Sequence, residues 1–570
     1  MIYTISYQRA STHFIDIELA VETKGNHQIQ FQLPAWRPGR YELGNFAKNI
    51  QKWQAFDEEG NELPSKKLTK DLWEVDCEKT EKVIVNYNYY AFELNAGSTF
   101  LDENQLYVNP VNCLLYVSSR MNESCFLNLN IPEDYQVAIS LPKEEKNSFK
   151  AKNFDQLADS PFIASNSLQH KSYSIAERTF HLWFQGECKP NWEMLLKDFE
   201  AFSKEQIQLF GDFPTQEYHF LFQIHTHSAY HGVEHEDCTV ISLGPSYSLF
   251  DWKGRYEDLL GVSSHELFHM WNVKRIRPVE MWPYDFSQEN YSRLGYLAEG
   301  ATTWYGDLML FRSGVFKEDA FLRTFNQLLN RHFNNPGVAN LSVADSSFDT
   351  WLDGYSLGIP NRKSSIYTEG ALITFMLDIE VRKATENRKS FDDVLRSFYH
   401  NFYQKGKGIS EQDYKQEVER IAGKNLDAFF EAYVNGTAPI DDLLKSCMQY
   451  LGYGYEKKLA DEVYESTLGF KLLDGKVIMI YPNSIAEQAG LSIQDEILSI
   501  NGIKLDNDLS AWCKYFESEE ILLNVTSAQG VQRTIQLKAS QDIYFAKYVV
   551  IAQNALSAQQ QEAKQKWLTT

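Results

Sequence analysis

The sequence predicts a multidomain α+β protein, and three observations support this. The chain has 570 residues, more than a single hydrophobic core organises, so roughly three or four domains are expected. Apolar and polar residues alternate through about the first 170 residues, whereas helical spacing dominates from Lys317 to about Cys447. From about Leu451, short apolar runs separated by turns return. The chain therefore divides into a strand-rich start, a mixed centre, a helical segment and a second small α+β region.

The N-terminal region is predicted to be an antiparallel β domain. Its period of two is that of strands with one buried face, and it recurs in three segments: 15–21, 83–89 and 125–131. Turn residues such as Pro34, Gly60 and Pro64 separate these segments. Between them, Leu33–Tyr41 reads Leu-Pro-Ala-Trp-Arg-Pro-Gly-Arg-Tyr, a rigid aromatic turn for which the sequence favours a structural over a catalytic role.

Composition excludes some classes of partner. The formal net charge is −22 and the pI is about 5.1, which argues against nucleic acid or an anionic membrane as a partner. The seven cysteines form no C-x-x-C pair, as expected for free, mostly buried thiols in a reducing compartment. No leader pattern and no apolar run of membrane-spanning length is visible, so a cytoplasmic address is expected, although a leader removed earlier would escape this reasoning.

The segment Ser264–Asn272 contains the pattern His-Glu-x-x-His. On a helix, residues four apart share a face, so His265 and His269 can present their imidazoles to one point. Two imidazole nitrogens at this spacing suit Zn²⁺, and Glu266 can accept a proton from the attacking water without binding the metal. The segment therefore predicts zinc-dependent hydrolysis of a carbonyl compound.

A catalytic zinc site usually has a third protein ligand, and three downstream carboxylates are candidates. Glu280 and Glu289 lie in predicted loops, whereas Glu299 lies on a second amphipathic helix that can pack antiparallel to the first. Glu299 is therefore favoured. A tyrosine hydroxyl is one way to stabilise the developing oxyanion, and Tyr367 begins a predicted helix after the polar segment 335–361. The residues alone do not single out Tyr367, which is one of 32 tyrosines in the chain.

The segment His265–Pro278 resembles the zinc segment of the glycyl aminopeptidase family, gluzincin metallopeptidases that carry a PDZ domain. Four further segments fit the family: Trp36–Gly39, Glu299–Gly300, Tyr367–Gly370 and Phe429–Gly436. The resemblance spans nearly the whole chain. It implies an N-terminal β domain, a thermolysin-like α+β catalytic domain, an α-helical domain and a C-terminal PDZ domain.

The same resemblance implies roles for individual residues. His265, His269 and Glu299 would bind Zn²⁺, Glu266 would be the general base, and Tyr367 would donate to the oxyanion. The segment 232–235, Gly-Val-Glu-His, resembles the stretch with which related aminopeptidases align a peptide and grip its α-ammonium group. This assigns substrate binding to Gly232 and Glu234. His231 and Val233 stand where family members more often have Gly and Leu.

These observations together predict five segments: a β-sandwich-like domain at 1–172, a zinc catalytic domain at 173–315, an α-helical domain at 316–450, a PDZ domain at 451–546 and a tail at 547–570. The expected activity is that of a zinc aminopeptidase acting on peptides with a free N-terminus, with a small first residue such as Gly or Ala. The PDZ domain is expected to take peptide C-termini, with Gly469 letting the carboxylate approach the backbone closely. Two alternatives remain open: a zinc endopeptidase, and a PDZ-based binding or scaffold protein with a non-essential metal site.

Overall fold

The alternating N-terminal segments form strands with one buried face. The computed structural model describes residues 1–252, 254–355, 358–516, 519–538 and 542–569. Ile15, Ile17 and Leu19 are almost completely buried, as the alternation predicts. The strands of this region are β1 Ile2–Ser6, β2 Phe14–Glu22, β3 Gln28–Gln32, β4 Ile50–Phe56, β5 Ser65–Lys67, β6 Leu72–Asp76, β7 Lys82–Tyr90, β8 Phe100–Leu101, β9 Leu106–Val108, β10 Cys125–Asn130, β11 Gln136–Ile139, β12 Lys143–Glu145, β13 Ser148–Ala151 and β14 Phe162–Ser165, with short helices α1 Pro110–Cys113 and α2 Phe154–Ala158.

These strands form three sheets. The largest has the order β12-β13-β10-β1-β2-β7-β4, and the others are β11-β14-β9-β8 and β3-β6-β5. The pairs are antiparallel as predicted, except that β1 runs parallel to β10. The sequence pattern could not show this exception, because alternation is the same in parallel and antiparallel half-buried strands.

A mixed sheet follows and carries the zinc-motif helix beside its edge. Its order is β15-β16-β17-β19-β18, in which β16, β17 and β19 are parallel and β18 is the antiparallel edge strand. One face packs on the N-terminal domain, where Leu221 and Val233 meet Tyr107 and Ile163. The elements are β15 Gln169–Ile175, β16 Arg178–Gln185, α3 Trp192–Phe210, β17 Glu217–Ile224, β18 Ala229–Glu234, β19 Cys238–Gly244 and α4 Tyr256–Phe268.

Helices dominate the next segment, as its spacing predicts. They share one continuous hydrophobic core with the mixed sheet, so the predicted helical domain has no separate core, and its boundary at residue 316 stays a prediction. The helices are α5 Thr302–Arg312, α6 Glu318–Phe333, α7 Val343–Phe348, α8 Thr350–Asp353, α9 Ile366–Ala384, α10 Phe391–Ser397, α11 Glu411–Ala422, α12 Asp427–Phe429 and α13 Asp441–Tyr450, with π-helical turns at Tyr296–Ala301, Phe398–Phe402 and Phe430–Val434.

The C-terminal region builds a small sheet and then returns to the main core. Strands β21 to β26 form one sheet over a separate core that runs from Tyr464 to Leu537. Strand β27 pairs with β20, and α17 buries Trp567 in the main core. The elements are β20 Tyr453–Leu459, α14 Val463–Leu468, β21 Phe470–Leu473, β22 Lys476–Ile480, α15 Ile485–Gln488, β23 Glu496–Ile500, β24 Ile503–Lys504, α16 Leu509–Tyr515, β25 Glu520–Thr526, β26 Gln532–Lys538, β27 Ala546–Ala552 and α17 Ala558–Trp567.

All seven cysteines are buried and free, as the sequence predicts. In the part of the chain that the structure describes, no helix combines the length and the apolar character needed to cross a bilayer.

Two glycines allow the π-helical turn 296–301 to cross α9 at very close range. A Cβ atom on Gly370 would lie 2.2 Å from the carbonyl oxygen of Tyr296 and 2.8 Å from Cα of Gly300. A Cβ atom on Gly300 would lie 2.3 Å from Cα of Gly370. Only glycine fits at these two positions, because the obstructing atoms are backbone.

A buried charge cluster joins the N-terminal domain to the segment after α4. The carboxylate of Asp159 lies 2.8 Å from Nζ of Lys274 and 2.8 Å from Nδ1 of His235. One of its oxygens also accepts the backbone N–H of Glu236. Burial raises the pKa of Asp159, but Lys274 and His235 outweigh burial and hold that pKa well below its usual value. The cluster therefore depends on the ionised carboxylate.

We predict that Gly370→Ala lowers the free energy of unfolding by about 1–3 kcal/mol, since the new methyl group overlaps backbone atoms that must move apart. Gly261→Ala is the matched control, because a Cβ atom at this position of α4 would meet no atom within 4 Å beyond its own stretch of helix. Alanine there is expected to stabilise by about 0.5–1 kcal/mol. Denaturant unfolding measures both, and a Gly370→Ala variant at least as stable as the parent would contradict the close crossing.

We predict that Asp159→Asn lowers the free energy of unfolding by about 3–5 kcal/mol at roughly neutral pH, because it leaves the Lys274 ammonium group buried without its carboxylate. The folded-state pKa of Asp159 is depressed, so its stabilisation is full above the unfolded value of about 3.9 and is lost as pH falls below it. The difference between Asp159→Asn and the parent should thus hold from about pH 7 to about pH 5 and shrink below about pH 4. The control variant Glu144→Gln changes an exposed residue, and its free energy of unfolding should match that of the parent at every pH in this range.

Candidate active site

Helix α4 places His265 and His269 as the sequence predicts. The helix ends at Phe268, but His269 keeps helical backbone angles and its N–H donates to the carbonyl of His265. The four-residue spacing is therefore preserved at the helix end. The Nε2 atoms of the two imidazoles lie 3.0 Å apart and face the same space.

Glu299 completes this group from the π-helical turn 296–301. Its Oε2 lies 3.4 Å from Nε2 of His269 and 3.9 Å from Nε2 of His265. Tetrahedral ligands at zinc bond lengths of about 2.0–2.1 Å are about 3.3 Å apart, so the three separations suit one such ion. Glu280 is exposed and accepts from Ser292, which leaves Glu299 as the carboxylate that joins the two histidines.

The second helix differs from its prediction in one respect. The spacing predicts a helix from near Ser292, whereas the structure has a π-helical turn from Tyr296 that becomes helix α5 at Thr302. Asn272 stabilises this wider turn, because its side-chain amide donates to the backbone carbonyls of Leu297 and Ala298. π-Helical turns often occur at functional sites, and this one carries Glu299.

Asn272 also sets the proton positions on His269. The backbone carbonyl of Asn272 can only accept, and it lies 2.7 Å from Nδ1 of His269. Nδ1 therefore carries a proton, which leaves Nε2, the atom that faces Glu299 and His265, as the ring nitrogen that a metal ion would bind. Sequence reasoning did not assign a role to Asn272, whose only sequence signal is its place three residues after the second histidine.

Glu266 lies beside these residues with an unused acceptor. Its side chain is buried, and its Oε2 has no hydrogen-bond partner among the described residues. Gly232 on the edge strand β18 makes room for it, because a Cβ atom there would lie 2.1 Å from Oε1 of Glu266. The structure thus brings Gly232 and Glu266 together.

Glu234 ends strand β18 on the other side of this group. Ligand atoms of Glu234, Glu266 and His269 all lie within 4.8 Å of one another. The far side of the Glu234 carboxylate is closed by Gly39, whose φ is +82° and on which a Cβ atom would lie 2.5 Å from Oε2 of Glu234. The buried Arg37 supplies positive charge to Glu234. The turn for which the sequence favoured a structural role therefore also forms a wall of this site.

Three tyrosines lie near the group formed by His265, His269 and Glu299. Tyr41 donates to Oε1 of Glu299 at 3.4 Å, and Tyr367 in the first turn of α9 lines the same cavity with about a third of its surface exposed. Tyr355 donates to the carbonyl of Gly39 at 3.4 Å. The polar segment 335–361 thus reaches the site through Tyr355; its residues 356 and 357 lie outside the described residues. Sequence reasoning missed Tyr41 and Tyr355.

The site concentrates negative charge in a buried space. Burial raises the pKa of Glu266 well above its usual value, and the neighbouring carboxylates of Glu234 and Glu299 raise it further. Burial lowers the pKa of His269, but Glu299 outweighs this and raises it to about 10. Carboxylates packed this closely around two imidazole rings are arranged for a cation, and a metal ion would take the place of the proton that they hold on His269. The residues present therefore fit a metal ion.

A second group that could hold a metal lies on the mixed sheet. Nε2 atoms of His181 and His219 lie 4.0 and 3.8 Å from the carboxylate of Glu217. The indole N–H of Trp183, a donor only, points at Nδ1 of His219 at 3.2 Å. The proton of the neutral ring must then be on Nε2, the atom that faces Glu217. The His219 nitrogen that faces Glu217 therefore carries a proton instead of a free lone pair, which disfavours metal binding there.

Comparisons with known proteins agree with this geometry. The Peptidase M61 N-terminal domain model matches residues 2–166, and the M61 glycyl aminopeptidase model matches residues 258–373, which include most of α4 together with Glu299 and Tyr367. An aminopeptidase N family protein from Idiomarina loihiensis has the same fold, with 24% sequence identity, a TM-score of 0.90 and 100% of both chains covered. An M1 zinc metallopeptidase from Deinococcus radiodurans bound to a Tyr-Ser-Ala substrate aligns at 13% identity and a TM-score of 0.49, covering 77% of this chain and 94% of its own.

No curated protein sequence matches the chain significantly. The two family models nevertheless cover both the N-terminal β domain and the segment that carries the His-Glu-x-x-His helix. Over residues 2–166 and 258–373 the chain is similar to the M61 glycyl aminopeptidase family, and the enzyme is a metallopeptidase.

Proposed function

We propose that the protein is a zinc-dependent aminopeptidase that removes the N-terminal residue from peptides, with a small first residue such as Gly or Ala. The observation that carries this proposal is the position of Glu234 within 4.8 Å of His269 and Glu266. Standard bond geometry separates an α-amine from its own carbonyl carbon by only about 2.5 Å. A carboxylate that grips the amine beside the metal-binding group therefore holds the first peptide bond at the reacting position.

In this proposal His265, His269 and Glu299 hold the zinc ion. When bound, zinc supplies Lewis-acid polarisation of the substrate carbonyl and makes water more acidic. Glu266 accepts the proton of the attacking water through its unpartnered Oε2, and it can deliver a proton to the leaving amine. Tyr367 donates its hydroxyl hydrogen to the developing oxyanion, and burial supports this because it raises the pKa of that hydroxyl and keeps it protonated.

Gly232 and Glu234 bind the substrate on strand β18. Its other edge is paired with β19, so the free edge can accept an extended peptide by adding a strand. The peptide amine would ion-pair with Glu234, whose carboxylate is fixed between Gly39 and the positive field of Arg37. The same enclosure disfavours the endopeptidase alternative, since Gly39 occupies the space into which preceding residues of a longer chain would extend.

The C-terminal sheet over its own core is proposed to be the PDZ domain and to take peptide C-termini. Its strands and the two short helices α15 and α16 support this. The sequence predicts that Gly469 lets a peptide carboxylate approach the backbone. In the structure, however, the space beside Gly469 is filled by protein: a Cβ atom there would lie 2.3 Å from the Ser484 side chain and 3.0 Å from the Tyr544 side chain. Free, buried cysteines favour a reducing compartment such as the cytoplasm.

We predict that Glu266→Gln lowers kcat for an Ala or Gly dipeptide amide by roughly 10²- to 10⁴-fold, because the general base is lost. Bound zinc, measured by elemental analysis after gel filtration, should remain at one ion per chain. Glu280→Gln is the control and should keep both metal and activity. A Glu266→Gln enzyme of near-parental rate would exclude this mechanism, and parent protein without stoichiometric zinc would favour the scaffold alternative.

We predict that Glu234→Gln lowers kcat/KM for free-amine dipeptide amides by roughly 10- to 150-fold, the expected loss for a hydrogen bond to a charged group. The parent enzyme should cleave N-acetylated dipeptide amides far more slowly than free-amine ones. In Glu234→Gln the ratio of kcat/KM between the free-amine and N-acetylated forms should be much smaller. Equal cleavage of both forms by the parent would establish an endopeptidase instead.

A further inference from the structure

The proposed substrate path has a defined direction. Glu234 holds the amine at the end of β18, and Gly232 abuts the base Glu266, so the bound peptide runs from Glu234 toward Tyr230 and antiparallel to the strand. The active-site cavity, about 620 Å³, continues past Tyr230 to one face of helix α6. That face presents Arg323, Gln327 and Arg331 at intervals of four residues.

Three arginines line this distal end of the cavity, and two of them are already paired. Arg255 donates to Asp258 at 2.8 Å. Arg323 pairs with Glu257 at 2.5 Å and with Asp319 at 2.8 Å. Arg331 differs, because no carboxylate among the described residues lies within 4.0 Å of its guanidinium group and no described residue accepts a hydrogen bond from it.

Arg331 is exposed and lines the same cavity as Tyr230. Its charge acts on the Tyr230 hydroxyl, which also senses Glu266, and on the carboxyl of Asp307. Burial raises the pKa of Asp307 to about 7, so this carboxyl is only partly ionised at neutral pH. Of the three arginines, Arg331 is therefore the one whose guanidinium charge has no ion-pair partner within 4.0 Å among the described residues.

The distance along the path fits a short peptide. Tyr230 and Glu234 are four residues apart on β18, which is about 13 Å at about 3.3 Å per residue. An extended peptide of three or four residues spans about 10 to 14 Å. Its C-terminal carboxylate would then reach the cavity end while its amine contacts Glu234.

We propose that Arg331 binds the C-terminal carboxylate of the substrate, so that the enzyme prefers free-acid tripeptides and tetrapeptides over amidated or longer peptides. This inference rests on the proposed aminopeptidase function. Arginine suits the role because its planar guanidinium group can donate two parallel hydrogen bonds to one carboxylate. Arg331 would determine specificity by peptide length, at a site separate from the reacting atoms.

The test compares Ala-Ala-Ala and Ala-Ala-Ala-Ala with their C-terminal amides and with a hexapeptide of alanine. For the parent enzyme, kcat/KM for the free acid should exceed that for the amide by roughly 10- to 150-fold, mainly through KM. Arg331→Gln should bring this ratio close to one, and Arg331→Lys should retain part of it as a point charge. Arg323→Gln, on the same helix face but engaged in ion pairs, is the matched control and should keep the parental ratio.

The outcomes separate the two proposals. If the parent cleaves amides and acids equally well, the aminopeptidase function stands and the role of Arg331 is wrong. The role is also wrong if Arg331→Gln keeps the parental ratio while its thermal unfolding matches the parent. If the parent cleaves none of these peptides in the presence of zinc, the proposed function fails, and the inference fails with it.

Discussion

The contact between Gly300 and Gly370 is the constraint on which the site depends. It allows the π-helical turn and helix α9 to approach until only hydrogen atoms separate their backbones. Glu299 immediately precedes one glycine, and Tyr367 lies one turn before the other. The same crossing that packs the core therefore sets the spacing between a metal-type carboxylate and the proposed oxyanion donor, so that stability and catalytic geometry arise from one contact.

The N-terminal β domain contributes directly to the site. Its turn at Trp36–Tyr41 reaches Glu234 through Gly39 and Glu299 through Tyr41. Trp36 packs against Tyr284 and Trp351, which belong to the segments after α4 and before α9. Residues from both parts of the molecule thus line the cavity, and neither part alone would enclose the carboxylate of Glu234, the proposed amine-binding group.

Much of the fold could be predicted because the periodicities were strong. The alternation through 15–21 and the helices after Lys317 are both observed, and His265, His269 and Glu299 come together as their helical placement suggested. The π-helical turn could not be predicted, because one inserted residue barely changes an apolar pattern and its support comes from Asn272, 25 residues earlier. Tyr41, Tyr355 and Arg331 were also out of reach: each acquires its role from a neighbour that is distant in sequence, which a pattern along the chain cannot encode.

The pairing of β20 with β27 has a consequence for the small C-terminal sheet. The chain enters that sheet from β20 and leaves it into β27, and these two strands pair as one antiparallel ribbon. Helix α17 then anchors the end of the chain in the main core. The sheet and its core are in effect an insertion with entry and exit side by side. The sheet therefore stays tethered beside the enzyme, and if it captures a peptide as proposed, that peptide would stay at a high effective concentration around the active site.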